Sequence, residues 1–145
     1  MKICIDADGC PVVGIALDIA REYGVDCVLF CDTAHQMQRE GARTITVSKG
    51  MDSVDFALVN HIASGDLVVT QDYGLAAMCL ARGARVLHQD GVEYTENNIE
   101  GLLAYRHTAQ KIRRAGGRLH NMKKRTKKQD AAFCQMLRAI LMSTE

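Results

Sequence analysis

The sequence predicts an α/β fold: a three-layer arrangement with a central, mostly parallel five-stranded sheet in the order 3-2-1-4-5 and helices on both faces. Apolar runs of strand length (Ile3 to Ile5, Asp26 to Cys31, Thr44 to Val47, Asp66 to Thr70, Arg85 to His88) are separated by segments with helical spacing. Strands that alternate with helices join by right-handed crossovers, which makes the sheet parallel and covers both its faces. Acids follow the strands, at Asp6, Asp32 and Asp72, at the edge where open parallel sheets bind ligands. The chain of 145 residues, 48% hydrophobic, has no Pro- or Ser-rich linker, so it reads as one domain over 1–145.

Each element has a local cause. Ile3-Cys4-Ile5 stops at Asp6-Ala7-Asp8-Gly9-Cys10-Pro11-Val12, and Pro11 suits the start of a helix. If the chain stays extended to Gly9, Asp6 and Asp8 point to the same side, and their like charges are most easily held by a cation. The plainer reading is a turn or helix cap. Val12 to Tyr23 is a largely buried helix that Gly24 stops. The second strand, Asp26 to Cys31, leads to Asp32-Thr33. Gln36 to Gly41 has room for a turn of helix before the strand Thr44 to Val47.

In the helix Met51 to Ser64, the residues Met51, Val54, Leu58 and Ile62 share a face, and Asp55 falls near its middle. A carboxylate aimed at a core must be protonated, paired or metal-bound. Gly65 ends that helix. Asp66 to Thr70 is a strand ending in Gln71-Asp72, Tyr73 to Arg82 a helix capped by Gly83, and Arg85 to His88 the fifth strand. Thr95 is a reasonable N-cap for a helix from Glu96 to about Arg114, with Arg106 on or near its apolar side. Ala115-Gly116-Gly117 breaks it, and a basic, mobile arm at about 115–128 precedes a closing amphipathic helix, Gln129 to Met142.

The formal charge of +1 hides a separation: residues 1–110 hold 8 Lys/Arg and 15 Asp/Glu, whereas residues 111–128 hold 9 Lys/Arg and no acid. An acidic body with a basic arm suits a metal in one place and a phosphate backbone in another, with Arg113, Arg114, Arg118, Lys123, Lys124, Arg125, Lys127 and Lys128 as the backbone-binding candidates. No run is long enough to span a membrane or act as a signal peptide, so a cytoplasmic location is expected. The six cysteines lack any C-x-x-C and read as reduced core residues rather than zinc ligands. Neither G-x-x-x-x-G-K-[ST] nor G-x-G-x-x-G occurs, and the five histidines lie apart in sequence. The acids that the proposed strand order brings together are hard donors that suit Mg²⁺ or Mn²⁺ and the hydrolysis of a phosphodiester.

Four stretches carry a resemblance: Asp-Ala-Asp-Gly-Cys-Pro-Val at 6–12, Val-Asp-Phe-Ala-Leu-Val-Asn at 54–60, Gly-Asp-Leu-Val-Val-Thr-Gln-Asp-Tyr-Gly-Leu-Ala at 65–76, and Asn98-Ile99 with Leu102-Leu103 and Arg106. Over nearly its whole length the chain resembles the YaiI/YqxD family of bacterial proteins and, more loosely, the PIN-like nuclease domains. That resemblance implies a PIN-like fold, with Asp6, Asp55 and Asp72 as catalytic metal ligands and Asp8 as a further ligand. Thr70, Gln71, Asn98 and Arg106 are the residues set to support those acids or touch substrate. The function expected is a nuclease dependent on Mg²⁺ or Mn²⁺, acting on RNA rather than DNA; homodimerisation is left open. Two alternatives stand beside it: a non-catalytic RNA-binding module with a structural metal, and a haloacid-dehalogenase-like phosphatase using the Asp-x-Asp-Gly at 6–9. The second needs a hairpin flap, for which Pro11 leaves no room.

Overall fold

The computed structural model describes residues 1–32, 38–48, 53–114 and 124–144, the side chains of 106–114 excepted. Its strands are β1 (Lys2–Asp6), β2 (Asp26–Asp32), β3 (Ala42–Val47), β4 (Leu67–Val69), β5 (Arg85–Leu87) and β6 (Glu93–Tyr94). The helices are α1 (Val13–Tyr23), α2 (Ser53–His61), α3 (Tyr73–Ala81), α4 (Glu96–Arg114) and α5 (Lys127–Ser143). They build an α/β domain around one six-stranded sheet in the order β3-β2-β1-β4-β5-β6. The first five strands run parallel, and β6 pairs antiparallel with β5 through Val86↔Tyr94 and Leu87↔Glu93. The expectation of five strands is corrected to six. A two-residue strand is too short to carry an alternation that a sequence pattern can register.

Strand alternation sorts the core into two layers. Ile3, Ile5, Leu29, Leu67, Val69 and Leu87 face one way and pack with Ala16 and Leu17 of α1 and Phe133, Leu137 and Ile140 of α5. Cys4, Val28, Phe30, Val68 and Val86 face the other way, against Leu58, Leu75, Cys79 and Ile99 of α2, α3 and α4. Both faces being covered is why the strands read as continuous apolar runs. The four inward side chains of α5, including Leu141, are at most 1% exposed; each contributes roughly 1.5–3 kcal/mol. Cys4, Cys27 and Cys79 are buried as expected, Cys31 joins them, and all six thiols are free.

Several boundaries move. Gly24 at φ 65° ends α1 in the left-handed conformation anticipated from glycine. The mid-chain helix is shorter than predicted, Ser53–His61; Met51, Gln36 and Thr33 lie outside the described residues, while residues 38–41 are not helical. The closing helix starts two residues earlier than predicted. Thr126 and Gln129 form a reciprocal capping box, Gln129 N donating to Thr126 Oγ1 (3.3 Å) and Thr126 N to Gln129 Oε1 (2.8 Å). The predicted arm at 115–128 is corrected accordingly: Lys127 and Lys128 are helical. Arg125, counted among the backbone-binding candidates, is fastened to the body. It reaches Asp130 Oδ1, Asp90 Oδ1 and the Gln89 carbonyl, each at 2.6 Å.

Candidate functional site

Asp6 closes β1, the strand with neighbours on both sides whose chain connections lead in opposite directions. Its carboxyl edge is therefore the switch point of the sheet. The extended conformation stops at Asp6, and residues 8–9 form a turn with Gly9 at φ 68°. The expected shared direction of Asp6 and Asp8 therefore has no extended backbone to enforce it. Asp6 Oδ2 accepts from Thr70 Oγ1 (2.9 Å), towards β4, whereas Asp8 Oδ2 accepts from the backbone N–H of Asp32 (3.1 Å), at the end of β2.

Thr70 is 2% exposed and organises the β4 side. Its hydroxyl proton goes to Asp6, and its oxygen accepts from the backbone N–H of Asp72 (3.0 Å). Its carbonyl accepts from the Tyr94 hydroxyl (3.3 Å). Asp72 is the N-cap of α3, Oδ1 accepting from Gly74 N (2.8 Å) and Leu75 N (3.2 Å). One carboxylate thus fixes the helix start and sits at the switch point. Gln71 is exposed, and its amide lies over the turn, 4.0 Å from where a side chain at Gly9 would begin.

Asp55 comes from the first turn of α2 and is half-buried. Its charge is felt by Asp6 and also by Cys79, on the buried side of α3. Burial first, then the charges of Asp55, Asp72 and Asp8, raise the Asp6 carboxyl from 3.8 to about 6 against the opposing Thr70 hydrogen bond. Asp6 thus feels its near neighbour Asp8 and two acids distant in sequence, Asp55 and Asp72. Among the described residues, no three His, Cys, Asp or Glu side chains are grouped so that they could hold a metal ion as they stand.

The remaining candidates divide. Asn98 serves the architecture: Oδ1 accepts from Thr95 N (2.9 Å) and Nδ2 donates to the Glu93 carbonyl (2.9 Å), tying β6 to the start of α4. The side chains of Arg106, Arg113 and Arg114, and residues Arg118 and Lys123, lie outside the described residues. Lys124 is exposed beside Arg125. Cys10, just past the turn, feels the charges of both Asp6 and Arg125, so the basic run ends at the same sheet edge as the acids. Tyr94 was not anticipated, and Asp32, noted at a strand end, was given no role in the site. Tyr94 sits in the strand too short to notice, whereas Asp32, an acid at a strand end, carried the same signal as Asp6.

A profile of the family described as "Uncharacterized BCR, YaiI/YqxD family" matches residues 4–143. The chain belongs to the YaiI/YqxD family. It is 55% identical to a protein of Exiguobacterium sibiricum named UPF0178 protein, over 97% of this chain and 96% of that one. It is 50% identical to one of the same name from Ruminiclostridium cellulolyticum, over 92% and 87%. With the namesake from Natranaerobius thermophilus it shares 46% identity over 98% and 97%. Bacterial relatives thus align with almost the whole chain, from the Asp6 strand to the closing helix.

Proposed function

We propose that this YaiI/YqxD protein is a nuclease of the PIN-like type, hydrolysing RNA phosphodiesters with Mg²⁺ or Mn²⁺ at Asp6, Asp55 and Asp72, with Asp8 as a further ligand. The observation that carries the reading is the meeting at one sheet edge of Asp6 with Asp8, Asp55 and Asp72, whose charges add to burial in raising the Asp6 carboxyl. Such repulsion costs stability unless a cation offsets it. The donors are carboxylate oxygens, which suit a hard divalent cation and not zinc or copper. Mg²⁺ keeps several waters and takes few carboxylates besides substrate phosphate, so a preformed cage is not required. When bound, it supplies an activated water and offsets the charge of the departing oxygen.

The chain's own groups have separable tasks. Thr70 holds Asp6 through its hydroxyl and Asp72 through its backbone. Gly74 and Leu75 pin one Asp72 oxygen, so that carboxylate cannot swing away. Lys124, exposed beside Arg125, offers charge for a phosphate backbone at the same edge. A parallel sheet in the order 3-2-1-4-5, extended by β6, with acids at its carboxyl edge, also supports the PIN-like reading.

The test is cleavage of labelled single-stranded RNA by purified protein with EDTA, Mg²⁺ or Mn²⁺, alongside a thermal melt. The proposal expects metal-dependent cleavage that Asp6→Asn and Asp55→Asn abolish, and a Mn²⁺-induced rise in melting temperature that both variants lose. RNA binding without cleavage under excess Mn²⁺ would favour a non-catalytic RNA-binding module instead.

A further inference from the structure

Beside the acids, at the carboxyl ends of β4 and β5, is a cavity of about 130 Å³ lined by Tyr73, His88, Asp90, Val92, Tyr94 and Leu102. We propose that it holds a single-ring nucleobase, a pyrimidine, of the strand whose phosphate meets Asp6 and Asp72; this deepens the nuclease reading and rests on it.

Size comes first. An apolar cavity of about 150 Å³ accepts one benzene ring, so this volume suits a six-membered ring better than a fused purine. The walls suit a flat partner. Tyr73 and His88 both stand edge-on to Tyr94, at centroid distances of 5.9 Å and angles of 68° and 71°. Aromatic walls of this kind stack bases with little regard to sequence.

The polar groups suit a base edge. His88 Nδ1 accepts from the backbone N–H of Asp90 (2.9 Å), which leaves the proton of the neutral ring on Nε2. Burial keeps that ring neutral, lowering its pKa against the pull of Asp90. The cavity therefore offers an N–H donor on His88 and a carboxylate acceptor on Asp90, the pairing that the O/N–H or N/NH₂ edge of a pyrimidine needs. Asp90 is itself steadied by Arg125 at 2.6 Å.

Position links it to the acids. Tyr73 follows Asp72 directly, and the Tyr94 hydroxyl donates to the Thr70 carbonyl. Neighbouring strands lie about 4.8 Å apart, so base cavity and acids are separated by one or two strand spacings, the reach of one nucleotide.

The experiment titrates metal-free protein with CMP, AMP and inorganic phosphate, following backbone NMR shifts and tyrosine fluorescence, which no tryptophan masks. The proposal expects shifts at Tyr73, His88 and Val92 with CMP, binding about tenfold weaker for AMP, and none of these shifts with phosphate. Val92→Phe, at a position 53% exposed, fills the mouth from outside, and Tyr73→Leu removes the ring while keeping an apolar side chain. Both should weaken CMP about tenfold while melting within a few degrees of wild type. Equal affinity for CMP and AMP, or CMP shifts confined to other residues, overturns the cavity assignment. Metal-dependent RNA cleavage without CMP binding here sinks the cavity and spares the nuclease; CMP binding here without any cleavage does the reverse.

Discussion

The Asp6 carboxyl binds its proton more tightly in the folded chain than in the unfolded one, about 6 against 3.8. The native state therefore holds the extra proton in that window, and stability falls as pH rises through it. Two units correspond to a loss of up to about 3 kcal/mol by pH 7. Asp6→Asn should remove this contribution to the slope, which the lowered His88 and His61 oppose, and stabilise the protein by about 1–3 kcal/mol at pH 7.5; urea unfolding between pH 4.5 and 7.5 measures it, and an unchanged slope would exonerate Asp6. Asp66 behaves oppositely. Burial would raise its carboxyl, but Lys2 Nζ (2.6 Å), Lys2 N (3.1 Å) and Ala63 N (2.8 Å) hold it below the usual range. Its contribution is intact above the ordinary carboxylate range and is lost as pH falls through the lowered value. Lys2→Met strands a buried carboxylate and should cost about 3 kcal/mol at neutral pH. The gap between variant and wild type should close towards pH 3, a trend that a pH series of thermal melts reads directly. At this scale the positions of the acids at strand ends were legible, although Asp72 also has the plain structural task of capping α3. Thr70 was visible as a residue but not as the hub that donates to one acid and accepts from the next, since hydrogen-bond direction leaves no mark in a sequence.

Helices and strands were legible where their periodicity was long. The spacing predicts α1 and its glycine stop to within a residue, and α4 from Glu96 to Arg114 as observed. It fails at β6, and at the start of α5, where a charge run conceals a capping box. Thr126→Ala should cost α5 about 1 kcal/mol. A larger effect is expected at Gly91, whose φ is +87° and where a Cβ would stand 2.6 Å from the backbone of Ala132. Gly91→Ala forces α5 away from the β5–β6 turn and should lower stability by about 2–4 kcal/mol; chemical denaturation checks it. The same variant should loosen Val92 and His88, detectable as faster amide exchange there.

For the whole molecule, alternation predicts parallel strands with crossovers of one hand but leaves the strand order to be assumed; the observed order carries β6 beyond β5. What alternation also leaves open is how near the acids come to one another, which depends on side-chain rotamers at strand ends. The charge separation belongs to this scale too. If the basic run grips phosphates, RNA affinity should fall steeply with salt, and Lys124→Glu should reduce the slope of log affinity against log salt by about 1; fluorescence anisotropy from 50 to 300 mM salt measures it.

The way α5 is docked has one more consequence. Phe133, Leu137, Ile140 and Leu141 enter the layer beneath α1, Arg138 pairs with Glu22, and Arg125 grips Asp90. None of these attachments runs through the peptide bonds between 115 and 123. A polypeptide ending near 114 and a second beginning near 124, made separately and mixed, should find each other and rebuild one folded body, because the faces that α5 and Arg125 present to α1 and Asp90 are complementary in themselves.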